Sequence, residues 1–211
     1  LGVHFDMEGQ LNFGVDVDIP GKFSVYNALS AAAVCRHFNV SKQNIYDGLN
    51  TVKVKGRVEA VNVPGNYTLL IDYAHNALSM KNILETLREY NPHRLICMFG
   101  AGGNRARSRR YEMGEVSGKL ADLSVITADN SRFEDVMDII EDIKVGINKT
   151  SGKYIVIPDR REAIKYCIEN GQDGDIIVLA GKGHEDYQEI KGVKYHFDER
   201  EVIDDIINKR I

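Results

Sequence analysis

Five short, nearly all-apolar runs recur in one part of the chain: "YTLLIDY" (67–73), "RLICMFG" (94–100), "LSVITA" (123–128), "YIVIP" (154–158) and "DIIVLAG" (175–181). A strand that is apolar on both sides must be covered on both sides. Strands of this kind therefore belong to a parallel sheet sandwiched between helices. The stretches between the runs supply the cover, with apolar residues at helical spacing over about 79–90, 107–119, 134–147 and 160–170. A last helix, "DEREVIDDIINKR", is predicted to begin near Asp198. The fold class is α/β, a mostly parallel sheet with helices on both faces.

The first third reads differently. "VHFDM" and "QLNFGVDVDIPG" alternate as a strand pair would, and Pro20-Gly21 closes them. "SVYNALSAAAVCRHF" is predicted to be a helix capped by Ser24, and a second helix starts at Ser41. Pro64-Gly65 is the strongest linker signal, so the boundary is placed near residues 62–65, dividing the chain into 1–62 and 63–211. Across 211 residues, 43% are apolar and 27% charged, as in a soluble globular protein long enough to bury a core. The net charge of −4 argues against nucleic acid as a partner. No apolar stretch approaches the roughly 20 residues needed to span a bilayer, so no membrane is expected. Cys35, Cys97 and Cys167 are too far apart for a disulfide framework or a zinc knuckle, which points to a reducing, cytoplasmic compartment. The opening "LGVHFDMEGQ" has neither an initiator Met nor a signal pattern and reads as the tail of something longer.

In open parallel sheets ligands bind beyond the carboxyl ends of the strands. The residues that follow the strands here are Asp72-Tyr73-Ala74-His75, then Gly100 to Arg110, then Asp129-Asn130-Ser131-Arg132, and finally Gly181-Lys182-Gly183-His184-Glu185-Asp186. Most of the unusual polar residues in this half of the chain thus fall on one rim. "FGAGGNRARSRR" (99–110) partly matches a dinucleotide fingerprint, but its third glycine position, 105, is Arg. Helix N-termini disfavour positive charge, so four arginines there require a compensating anion. In "DNSR", Asp129 can receive an ammonium group and Arg132 can bind a carboxylate, which together suit a zwitterion; a plain Asx-turn would read the same way. "AGKGHEDYQ" crowds titratable groups into a loop that Gly181 and Gly183 leave open to close approach. A single His beside acids lacks the second imidazole that a metal site would use, and no metal is expected in this chain. GxxxxGK[ST] is absent from these residues.

Together, "GRVEAV" (56–61), "DYAHN" (72–76), "FGAGGNRARSRR", "DNSR" and "LAGKGHEDYQ" resemble, in that order, the Mur ligases of bacterial cell-wall synthesis. The resemblance covers essentially the whole chain and is to members that add the third residue of the peptidoglycan stem peptide. It implies that residues 1–62 end the family's central ATPase domain and that 63–211 form its Rossmann-like C-terminal, amino-acid-binding domain. The implied reaction is an ATP-dependent amide ligation through an acyl phosphate, with ATP and Mg2+ bound mainly by an N-terminal part not present here. By the same resemblance Arg105, Asp129, Asn130, Ser131, Arg132, Gly181 and Glu185 bind the amino acid. Arg57, Asp72 and His75 lie on the adenosine side. The implied partners are meso-diaminopimelate or L-lysine and, in a full-length enzyme, a UDP-N-acetylmuramoyl dipeptide. Arg132 favours diaminopimelate, whose distal carboxylate lysine lacks. No residue of the chain is assigned as catalytic, and the isolated chain is expected to be inactive.

Two departures from the family pattern stand out. The usual DNPR turn carries Ser131 in place of Pro, which is expected to loosen the backbone before Arg132. "DYAHNALSM" replaces the commoner DYAHTPDA form. Two other readings stay open: a related ligase of the cyanophycin- or folylpolyglutamate-synthetase kind, and a non-catalytic amino-acid-binding module.

Overall fold

The structure, a computed structural model, describes residues 1–209. Two compact units divide between Lys55 and Gly56. In the first, strands β1 (Val3–Met7) and β2 (Phe13–Val17) pair antiparallel, followed by helices α1 (Lys22–His37) and α2 (Lys42–Thr51). Its core gathers Met7, Leu11, Val15 and Val17 of the hairpin with Ala28, Ala32, Ile45 and Leu49 of the helices. Ser41 caps α2 as expected, its side chain accepting the Asn44 N–H. Ser24 does not cap α1. The helix begins earlier, after Gly21, and Ser24 lies buried inside the first turn, where its Oγ donates to the Pro20 carbonyl.

The second unit is built on a six-stranded sheet in the order β3-β4-β8-β5-β6-β7. These strands are β3 (Glu59–Val61), β4 (Thr68–Asp72), β5 (Leu95–Phe99), β6 (Leu123–Ile126), β7 (Tyr154–Val156) and β8 (Ile176–Ala180). All neighbours are parallel except β3, which pairs antiparallel with β4 at one edge. Helices α3 (Ala77–Arg88), α4 (Arg107–Leu120), α5 (Val136–Ile147) and α6 (Arg160–Glu169) alternate with the strands, and α7 (Glu199–Ile207) ends the described chain. Strict alternation along each strand divides its side chains between two cores. Leu69, Ile71, Ile96, Met98, Ile177 and Leu179 pack with Ala163, Ile164 and Cys167 of α6 and Val202 and Ile203 of α7. Their neighbours Leu70, Cys97, Phe99 and Val178, equally buried, face the other way, the side on which α3 meets β5 and α4 meets β6. Every residue of β5 and β8 is buried, as their unbroken apolar runs require.

Three features differ from the expected layout. The unit boundary falls before "GRVEAV", because β3 is hydrogen-bonded into the sheet and Gly56 sits against the 181–185 loop. A Cβ on Gly56 would lie 2.2 Å from the His184 nitrogen. Pro64-Gly65 is therefore a turn between β3 and β4 within the second unit. A hairpin of β9 (Tyr187–Ile190) and β10 (Val193–His196) also follows β8, where the sequence suggested only loop. Its two turn residues, Lys191 and Gly192, both take positive φ, the conformation that matches the strand twist.

Candidate functional site

The chain turns out of β4, β5, β6 and β8 at one edge of the sheet, and a cleft of about 160 Å³ opens there. Arg105, Asp129, Asn130, Arg132, Gly181 and Glu185 all line it, with Tyr73 and His75 at one side. A cavity of that size is on the scale of an amino acid and is small beside the several hundred Å³ typical of drug-sized pockets.

Asn130 holds the loops together. Its Nδ2 donates to Glu185 Oε2 at 2.9 Å, and its Oδ1 accepts from Lys182 Nζ at 3.1 Å and from the Glu189 N–H at 3.0 Å. Its carbonyl accepts the Gly103 N–H at 2.8 Å. The glycine-rich turn thus serves close loop-to-loop approach: a Cβ on Gly103 would lie 1.9 Å from the Ser131 carbonyl oxygen. Ser131 is buried behind the cleft, its carbonyl accepting the Glu134 N–H, and Arg132 N–H donates to the Glu189 carbonyl. Hydrogen bonds on both sides hold the turn.

The acidic side of the cleft is Asp129 with Glu185. Burial pushes the Asp129 carboxyl up, but Lys182 and Arg160 more than offset it, so the group is held below the usual carboxylate range and is ionised. Lys182 Nζ is fully buried, 3.9 Å from Asp129 and 3.4 Å from Glu185. On the far side Asp129 Oδ2 lies 4.0 Å from the guanidinium of Arg160, which is also fully buried. A Cβ on Gly181 would meet Asp129 Oδ2 at 2.7 Å, so only glycine leaves that carboxylate room.

Arg160 joins the two loops from below. It donates to the Ala128 carbonyl after β6 and to the Ala180 carbonyl at the end of β8, both at 3.0 Å. These strands are not neighbours; β5 lies between them. Glu199, the first residue of α7, accepts from Arg160 at 2.8 and 3.0 Å and is wholly buried. Burial raises its carboxyl despite Arg160, and its second oxygen has no partner among the described residues.

Of the four arginines near α4, two are neutralised within the protein. Arg107 binds Asp142 through Nε and Nη2, and buried Arg110 bridges Asp142 and Glu134 at 2.7–2.9 Å. Glu134 also accepts the Asn104 N–H and so ties the pair to the turn. Among the described residues Arg109 reaches only the His75 carbonyl, at 3.4 Å. Arg105 is exposed and has no hydrogen bond or ion pair among the described residues. The anion required by the charge cluster is therefore met partly by Asp142 and Glu134, and Arg105 keeps an open valence in the cleft.

Arg57, Asp72 and His75 separate. The Arg57 guanidinium lies 4.6 Å over the Tyr73 ring, which also meets the His75 and His184 rings at 4.7 and 4.8 Å. This exposed stack flanks the cleft, and His75 alone of the three sequence-assigned residues lines it. Asp72 is buried, with Oδ2 accepting the Val58 N–H and Oδ1 the Ala74 N–H, so it fixes the backbone on either side of Tyr73 and Arg57. Burial raises its carboxyl despite those bonds. Among the described residues no group of three His, Cys, Asp or Glu side chains is placed to hold a metal ion. No described helix is long and apolar enough to cross a membrane.

Sequence reasoning assigned no role to Arg160, Glu199 or Glu189, and quoted Lys182 without one. "PDRREAI" (158–164) carried a signal: an Arg at the first position of a helix, where positive charge is disfavoured, needs a buried acid to meet it. Nothing comparable marked Glu189.

Residues 56–183 match the family described as Mur ligase, glutamate ligase domain. The UDP-N-acetylmuramoyl-L-alanyl-D-glutamate--2,6-diaminopimelate ligase of Caldanaerobacter subterraneus subsp. tengcongensis is 47% identical over 193 residues, which cover 92% of this chain and 40% of that protein. A ligase of the same name from Clostridium acetobutylicum is 41% identical over 99% of this chain and 44% of its own length. A solved structure bearing that name superposes with a TM-score of 0.72 at 34% identity, covering 94% of this chain and 41% of that one. The chain thus spans less than half the length of these relatives. With the family's domain model spanning more than half of its residues, the chain belongs to the Mur ligase family.

Proposed function

We propose that this chain is the amino-acid-binding part of an ATP-dependent amide ligase. The full-length enzyme would join meso-diaminopimelate to UDP-N-acetylmuramoyl-L-alanyl-D-glutamate in peptidoglycan synthesis, in the cytoplasm. The observation that carries this reading is the convergence of ionised Asp129, and of Glu185, with Arg105 and Arg132 on one amino-acid-sized cleft. Relatives named for diaminopimelate ligation at 41–47% identity support it.

A diamino diacid has two zwitterionic heads. Asp129 and Glu185 receive the ammonium of the distal head and Arg132 its carboxylate, while Arg105 holds the carboxylate of the reacting head. The remaining amine then faces out of the cleft, where its lone pair can attack an activated carbonyl. Holding both heads converts a bimolecular encounter into a positioned one. A distal carboxylate left without a cation would cost several kcal/mol, so lysine and diaminopimelate are distinguished at Arg132. ATP supplies the phosphoryl group that activates the substrate carboxylate. Arg57 and His75 on the open ring stack are the residues of this chain proposed to face the nucleotide, with Asp72 bracing them from beneath. The described residues provide neither GxxxxGK[ST] nor a metal donor set, and no step is assigned to them through phosphate or Mg2+.

The test is incorporation by the full-length ligase supplied with ATP, Mg2+ and the UDP-sugar dipeptide. Diaminopimelate is expected to be used well and lysine poorly. A several-fold preference for lysine would overturn the substrate assignment, and turnover by residues 1–211 alone would overturn the division of labour.

A further inference from the structure

Arg132 stands in the cleft on two tethers. Its Nη1 donates to the Gly103 carbonyl at 2.7 Å and its Nε to Glu189 Oε2 at 3.1 Å. Nη2 has no partner among the described residues. Glu189 itself does not line the cleft. It reaches Arg132 from behind, out of β9, with each side chain 23% exposed.

The main chain around Glu189 is held without help from its carboxylate. Arg132 N–H donates to the Glu189 carbonyl at 2.9 Å, Lys191 N–H to the Arg132 carbonyl at 2.5 Å, and Glu189 N–H to Asn130 Oδ1 at 3.0 Å. Arg132 also holds a positive φ of 52°, so its Cα–Cβ direction is set by the turn. With the backbone fixed, the direction of the guanidinium depends on the two side-chain tethers alone. The Gly103 bond anchors one nitrogen, and the Glu189 bond stops rotation about it.

We infer that Glu189 is a positioning residue for the distal carboxylate of the diamino acid: by holding Arg132 Nε it turns the free Nη2 donors into the cleft. The inference rests on the substrate reading given above. Two effects of Glu189 oppose each other, since its charge also weakens the pull of Arg132 on an anion. Orientation prevails if the acceptor oxygen matters more than the charge, and Glu189→Gln separates them by keeping the oxygen and removing the charge.

The experiment is steady-state kinetics of the full-length ligase with meso-diaminopimelate, and with L-lysine as a substrate or competitor that lacks a distal carboxylate. Glu189→Ala is expected to raise KM for diaminopimelate roughly five- to twentyfold, the loss of one charge-assisted hydrogen bond, with a much smaller change in kcat. Glu189→Gln should stay within about threefold of wild type, and the lysine constants should not move. A role in folding alone would shift both ligands together, and that result would overturn the inference. So would an unchanged or lower KM in Glu189→Ala, or a Glu189→Gln loss equal to that of Ala. If the wild type itself does not use diaminopimelate, the substrate reading falls and takes this inference with it.

Discussion

Arg105, just before α4, and Arg110, within it, carry opposite expectations. Arg105 is exposed and without a partner among the described residues, whereas Arg110 is buried between two carboxylates. Arg105→Ala in the full-length ligase should raise KM for the amino acid about tenfold or more, as loss of a charged contact does, and leave the melting temperature within about 1 °C, as for an exposed side chain. Arg110→Ala should destabilise by about 1.5–3 kcal/mol, since it takes the guanidinium from Glu134 and leaves buried Asp142 with Arg107 alone. Thermal melts alongside kinetics distinguish the two, and equal destabilisation would refute the assignment of Arg105 to the ligand. Charge density in "NRARSRR" was legible in the sequence, and so was its need for an anion. Which arginine remained open was not, because the neutralising acids Glu134 and Asp142 lie 24 to 35 positions away and reach the turn only when α5 packs on α4.

The α4–α5 contact depends on small residues. A Cβ on Gly146 would come within 1.8 Å of the Tyr111 carbonyl oxygen, and one on Gly114 within 2.1 Å of that of Ile143. Backbone cannot yield as a flexible side chain would. Gly146→Ala should therefore cost at least the 1–3 kcal/mol usual for overpacking, read as a drop in denaturation midpoint at unchanged m-value. A neutral result would mean that the helices separate freely. The parallel strands and their helices were legible because each carries its own period, with apolar runs for the strands and helical spacing between them. β9 and β10 were not. β9 is only partly buried and β10 is exposed throughout, so neither carries the apolar run that marks the sheet strands, and their pairing follows from the positive-φ turn at Lys191-Gly192. β3 has only three residues and borrows its regularity from β4.

At the scale of the molecule the acids set the response to pH. Arg107 beside Asp142 and Arg110 beside Glu134 hold those carboxyls below their usual range; at Asp175 and Asp129 burial opposes the effect but their cationic partners prevail. Groups depressed in the folded state stabilise it above the ordinary carboxylate range, and the benefit is lost as pH falls through their folded values. Asp72 and Glu199, raised by burial, act in the opposite direction. With the depressed group more numerous, the melting temperature should be nearly flat from about pH 6 to 8 and fall steeply below about pH 4. A melting temperature that climbed toward pH 3 would contradict this balance. The meeting of Arg105, Asp129, Asn130, Arg132, Gly181 and Glu185 at one rim followed from strands that run in one direction. The rim's knotting through Asn130 did not, since that depends on side chains from segments more than 50 residues apart.

Asn130 has committed both ends of its amide to the 182–185 loop and to β9. An attempt to transplant ligand preference into another scaffold by grafting "DNSR" alone would therefore move a residue away from the partners that orient it. The transferable piece is the turn together with residues 181–190 and the Gly103 turn. On the proposed reading, a change of amino acid requires these segments to be revised in concert.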